Sequence, residues 1–356
     1  MSFFGGLWTI ASIELRQRVR GVAWYVLLGV FVLLVLIVTA VALVALSWQD
    51  DPGGALYSTV IYFVLLLASL TAPALSGNAI NGDRDAGTLA TTQITLVSTT
   101  QLVLGKWLAA WISSLAFLVA AVPFILFSFA LGGVHGATVL GSLGVLLAEL
   151  AVVSAVGVGL SGLLRRPLFS VVVTYLVVAL LSIGTLIAFG LGGLAIRSTQ
   201  TYESYSVDWE QYPGEVEYDP ATGLPVGAEC TLVDSGEYEI PRPDLFWPVL
   251  SANPYVVMAD ATATNYDRNG NPVDIFGYIK VGIRSLQIPP ELHSVWNECD
   301  PAQTDYPTGE ETVERTAPSW FVGLAIHLVL GAALLAGAIA TTRTPARRLA
   351  PGSRIA

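Results

Sequence analysis

The chain has 356 residues, of which 54% are hydrophobic and 12% charged, with a net charge of −10. Soluble domains carry about 25% charged residues, so this composition excludes an ordinary soluble enzyme built as one domain. The acidic balance is local: residues 197–316 hold 21 acidic and 6 basic residues, a net of −15, while the remainder is slightly basic. It therefore gives no footprint for a nucleic-acid partner.

In chain order, Phe4, Leu7, Trp8, Ala11 and Leu15 recur at helical spacing, with Glu14, Arg16, Arg18 and Arg20 on the other faces. This predicts an N-terminal helix over residues 1–21 lying in a membrane interface. The plainer alternative is a basic flank that only sets topology. Six apolar runs follow: Val22–Trp48, Leu56–Ala79, Trp107–Gly132, Ala137–Leu164, Phe169–Ile196 and Pro318–Thr341. Each is long enough to cross a ~30 Å hydrocarbon core as a helix. The expected fold class is an all-α integral membrane protein with six transmembrane helices and a small mixed extracytoplasmic domain. The first run is too long for a signal peptide and lacks a cleavage site.

Residues Arg16, Arg18, Arg20, Arg84, Lys106, Arg165, Arg166, Arg343, Arg347, Arg348 and Arg354 all fall on one side of this arrangement. By the positive-inside rule that side, with both termini, is cytoplasmic. Residues 80–104 then form the longest cytoplasmic connection, the one segment large enough to receive a partner, and Leu89, Thr92, Leu96 and Thr99 could share a helical face. Residues 342–356 are a short basic tail suited to lipid headgroups. Residues 197–317 form the extracytoplasmic domain. Its first part, Ser198 to Pro243, reads as loops and short strands. Leu245 to Met258 is apolar but too short and too Pro-broken to span, and is expected on the outer surface or over the bundle mouth. Ile275, Ile279, Ile283 and Leu286 suggest an amphipathic helix. Cys230 and Cys299 both lie outside, where oxidising conditions favour a disulfide; two free thiols are the alternative.

Chemistry-bearing motifs are sparse. Gly105-Lys106 lacks the upstream glycine of a phosphate-binding loop. His135, His293 and His327 are isolated from one another, so no zinc-type pattern or cofactor site is expected. Two ionisable residues fall inside predicted spans, Glu149 and His327, and such residues usually face the bundle interior or a cavity. They read either as a polar patch or switch pair on a transport path, or as packing hydrogen bonds. Pro73 and Pro123 are expected to kink their spans.

The segment Asp83-Arg84-Asp85-Ala86-Gly87-Thr88, followed by Leu104-Gly105-Lys106, resembles the cytoplasmic signature of ABC-2 (type V) ATP-binding-cassette permeases, in actinobacterial form. In that family an acidic–basic–acidic–x–Gly–Thr motif opens a coupling helix. Both acids here are Asp where Glu is usual, and the expected Pro near Thr95–Ser98 is missing. The resemblance implies a non-catalytic export permease in a prokaryotic plasma membrane. It implies a second permease, in a homo- or heterodimer, and cytoplasmic ATPase subunits docked on Asp83, Arg84, Asp85, Gly87 and Thr88. ATP and Mg would be bound by the ATPase, with no cofactor on this chain. Two competing readings stay open. One is a membrane scaffold or sensor whose acidic outer domain binds an extracellular partner. The other is an ion-coupled transporter using Glu149 and His327.

Overall fold

A computed structural model describes residues 2–49, 51–87, 97–212, 216–220, 224–300 and 307–343. It is mostly helical, with six helices long and apolar enough to cross a membrane and one small mixed sheet. The elements in order are α1 (Phe3–Arg20), α2 (Val22–Ala45), α3 (Gly53–Ser76), α4 (Asn81–Asp85), α5 (Thr99–Ala130), α6 (Gly136–Leu163) and α7 (Pro167–Ala195). Then come β1 (Arg197–Val207), β2 (Cys230–Pro241), α8 (Trp247–Leu250), α9 (Pro254–Ala261), α10 (Ile275–Ser285), β3 (His293–Asn297), α11 (Gly309–Glu314) and α12 (Trp320–Thr342).

Local chemistry sets the helix ends. Ser2 accepts from the Gly5 N–H at 3.2 Å to start α1. Ser98 and Gln101 form a reciprocal capping box, which satisfies two backbone donors at once. Helix α5 therefore starts at Thr99 and not at Trp107, and the end of the expected 80–104 connection is already helix. Pro167 occupies the first turn of α7, where its missing N–H costs nothing.

Helices α3 and α6 are the most buried of the long six, and α2 and α7 the least. The main core joins Leu56, Tyr57, Ile61 and Leu65 of α3 to Phe117 of α5, Leu146 and Leu150 of α6, and Phe31 and Val35 of α2. Helix α12 lies along α6 in close contact. A side chain added at Gly162 would meet the Ala338 Cβ at 2.4 Å. Close approach through small residues is what holds helices together where the surroundings are as apolar as the side chains.

The described residues of 197–317 do not stand apart from this bundle. Strand β1 pairs antiparallel with β2 and parallel with β3, in the order β2-β1-β3. At 11 and 12 residues, β1 and β2 are long, where short strands and loops were expected. Cys230 and Cys299 are joined in a disulfide, 69 residues apart in sequence. The register explains why: Val207 of β1 faces Cys230, and Tyr205 faces Asn297 two residues before Cys299.

The apolar stretch around Leu245–Met258 goes deeper than the expected position over the mouth. Val257 and Met258 of α9 are fully buried in the same core as Leu56 and Leu146. Gly323 of α12 makes room for it: a Cβ there would sit 1.8 Å from the Ser251 carbonyl oxygen. The amphipathic helix is present as α10, and its Phe276 also joins the main core.

Asp260, at the end of α9, ties these parts together. Its Oδ1 accepts from Arg284 Nε at 2.7 Å. Its Oδ2 accepts from the Ser319 and Trp320 backbone N–H groups at 2.6 and 2.9 Å. Those amides are orphan donors at the start of α12, and a carboxylate is the strongest acceptor for them.

Candidate functional site

Two groups of polar residues are built into the bundle, one at the end that carries α1 and one nearer the sheet. At the α1 end, the short helix α4 is held by three helices. Its first amides, Ile80 and Asn81 N–H, both donate to Ser161 Oγ of α6 at 3.0 Å. The fully buried Asn81 donates from Nδ2 to Ser170 Oγ of α7 at 3.3 Å. Arg84 Nη1 donates to the Leu164 carbonyl at 3.2 Å, capping the C-terminus of α6 with a cation where the helix dipole favours one.

Asp83 Oδ2 pairs with Lys106 Nζ of α5 at 2.7 Å. Lys106 is almost wholly buried and also pairs with Glu14 of α1. One ammonium thus joins α1, α4 and α5. Beside it, Arg18 Nη2 donates to the Leu75 carbonyl at 2.8 Å. Burial pulls the Arg18 guanidinium below its ordinary pKa, partly opposed by the charge of Glu14. Gly105 allows α1 to lie this close, since a Cβ there would come within 2.9 Å of the Leu7 carbonyl.

Of the residues singled out from the sequence, Asp83 and Arg84 are therefore engaged inside the chain, and Asp85 and Gly87 are exposed. Gly87 has φ +70°, a left-handed turn just after the helix that suits glycine. The Asp83-Arg84-Asp85 run forms the end of the one-turn helix α4. Thr88, together with Leu89, Thr92 and Leu96, lies outside the described residues. Lys106, read from the sequence as one of the basic residues on the α1 side and as part of a motif, is the centre of the arrangement.

The second group is Glu149 and His327, read from the sequence as a polar patch or switch pair or as packing hydrogen bonds. His327 Nδ1 lies 2.8 Å from Glu149 Oε1, and both side chains are buried. His327 Nε2 lies 2.8 Å from the Ala252 carbonyl oxygen. A carbonyl only accepts, so Nε2 carries a proton. Nδ1 then shares one proton with Glu149, as an imidazolium on a carboxylate or as an imidazole accepting from a carboxylic acid. Either form satisfies both groups. The pair links α6, α12 and the segment between α8 and α9.

Next to Ala252, Asn253 is fully buried and reaches α7. Its Nδ2 donates to the Ser182 carbonyl at 2.7 Å and to Thr185 Oγ1 at 2.9 Å. This is where α7 widens into a π-turn, Leu180–Gly184, a distortion that interrupts the regular ladder and often marks a functional site. Glu149, Ser182 and Tyr255 line a small apolar cavity of about 20 Å³ between α3, α6 and α7, room for roughly one water.

Among the described residues no group of three or more His, Cys, Asp or Glu is placed to hold a metal. No protein-family model matches the chain, and no curated protein matches it.

Proposed function

We propose that this chain is the membrane-spanning permease subunit of an ATP-binding-cassette exporter of the ABC-2 type, driven by ATP hydrolysed on separate subunits. In this reading the six long helices cross a prokaryotic plasma membrane. The basic α1 end is cytoplasmic, and the acidic, disulfide-closed sheet is outside. Helix α1 lies in the inner interface, with Phe4 and Trp8 exposed towards lipid. The thinly covered faces of α2 and α7 meet lipid or a second permease.

One observation carries the proposal. Asp85 is presented at the surface on a helix whose neighbours Asp83, Arg84 and Asn81 are fixed to α5, α6 and α7, and through Lys106 to Glu14 of α1. A push on that exposed end is delivered to four helices at once, as a subunit that hydrolyses ATP elsewhere requires. Asp85→Lys tests it cleanly, because the side chain is exposed. Asp83→Lys does not, because it also brings a cation against the buried Lys106. Tagged chain drawn from its own membranes should bring an ATPase with it. Asp85→Lys should weaken that association about tenfold, a change of about 1.4 kcal/mol, with the unfolding temperature unchanged. Absence of an ATPase, or an unaltered association, sinks the reading.

The sheet favours a second reading, an outer docking domain without transport. Leu232, Val233, Tyr238 and Trp296 are exposed on it among many acids. Capture of an extracellular protein without any ATPase would support that alternative.

A further inference from the structure

A cleft of about 840 Å³ opens at the sheet end of the bundle, a volume suited to a drug-sized molecule. The turn between α2 and α3 supplies Trp48 and Asp51, and the segment leading into α10 supplies Asn265, Tyr266, Asp267 and Asp274, followed by Tyr278 on α10 itself. The proposed transport role uses none of these residues. Trp48 and Tyr278 are largely exposed. Asp51 and Asp267 are exposed surface acids and alone would make no site.

Asp274 is different. It is only 2% exposed. Its Oδ1 caps α10 by accepting from the Gly277 N–H at 2.8 Å. Its Oδ2 is buried and has no hydrogen-bond partner. Lys280, on the same helix, sends its Nζ to the Thr262 carbonyl at 2.6 Å. On the same cleft wall, Asn265 Nδ2 is also buried without a partner. Buried polar groups are satisfied in the great majority of cases, and exceptions call for a missing water, ion or ligand. The wall thus lacks one donor, for Asp274, and one acceptor, for Asn265. Aromatic faces beside a carboxylate favour a cation over a neutral or anionic group.

We propose that this cleft binds a small aromatic amphiphile bearing an ammonium group, which donates to Asp274 while its ring rests on Trp48 and Tyr278. The site does not depend on the transport reading, and the ATPase association described above judges that reading separately. An acyl chain would leave Asp274 and Asn265 unsatisfied, and an anionic headgroup would meet three carboxylates.

The full chain in phosphatidylcholine nanodiscs should be titrated with tryptamine, indole-3-ethanol and indole-3-propionate, which share a ring but differ in charge. Tryptamine should bind saturably, one per chain, and about tenfold or more tighter than the other two. Asp274→Asn keeps a capping oxygen and should remove that preference. Tyr278→Ala, at an exposed position, should weaken tryptamine several-fold and carries the test should the first variant fail to fold. Equal binding of the three compounds, no saturable binding, or full retention of the preference in a folded Asp274→Asn chain would overturn the proposal. The last result would mean that diffuse surface charge, with a water at Asp274, accounts for the cleft.

Discussion

At Asp274, burial and capping pull one carboxyl in opposite directions. Burial dominates and raises its pKa above the ordinary 3.8, while the Gly277 N–H and the charge of Lys280 oppose it. The folded state therefore holds this proton more tightly than the unfolded chain. Stability from this group is present below the ordinary value and is lost as pH rises through the raised one. Asp274→Asn, which cannot ionise and keeps the cap, should unfold at a higher temperature than the parent near neutral pH. The gap should close as pH falls towards 3.8, and a gap constant with pH would contradict this account. Nothing in the sequence singled out Asp274. The unpartnered oxygen is a product of tertiary burial. Glu149 and His327 were legible singly, because a charge in an apolar run stands out. Their contact was not, since they are 178 residues apart and spacing carries no distance at that range.

At the level of elements, the π-turn in α7 depends on a residue from another segment. Asn253→Ala would leave the Ser182 carbonyl and the Thr185 hydroxyl without that donor. A lost buried hydrogen bond of this kind costs about 1–3 kcal/mol. The expected outcome is a lower unfolding temperature and faster hydrogen exchange confined to residues 180–185 and 252–258. Exchange unchanged at both places would show that the turn closes on its own. The six long helices were readable because an apolar run of 18 residues has few other uses. Their ends were less so. Ser98-Thr99-Thr100-Gln101 carries the capping-box pattern, which read on its own would have placed the start of α5 correctly. The depth of Leu245–Met258 could not be read. Its burial depends on Gly323 in α12, and only the folded chain sets that glycine beside Ser251.

On the scale of the whole molecule, the disulfide and the bundle stabilise different parts. The Cys230–Cys299 bridge closes a 69-residue loop, a constraint of about 4 kcal/mol on the chain-entropy account. Replacing both cysteines with alanine should expose the β1–β2 ribbon to protease while the long helices stay protected, as seen by fragment mapping. Simultaneous loss of both would show that the sheet and bundle unfold as one. The concentration of acidic residues in 197–316 belongs to the sequence alone, whereas the fusion of α9 and α10 into the bundle was hidden. Apolar residues such as Met258 and Phe276 look alike whether they build a small core of their own or join a larger one. Asp260 adds a topological result. By gripping the first amides of α12 from the end of α9, it closes residues 261–318 at their base, 59 residues from bond to bond. The entry of the last helix is thereby fixed independently of the length between, and closing a longer loop costs only a logarithm of its length. An epitope or fluorescent protein inserted in the exposed turn at Arg268–Asn269 would therefore hang from a clasp, reporting on the sheet end of the molecule without shifting the helix that carries His327.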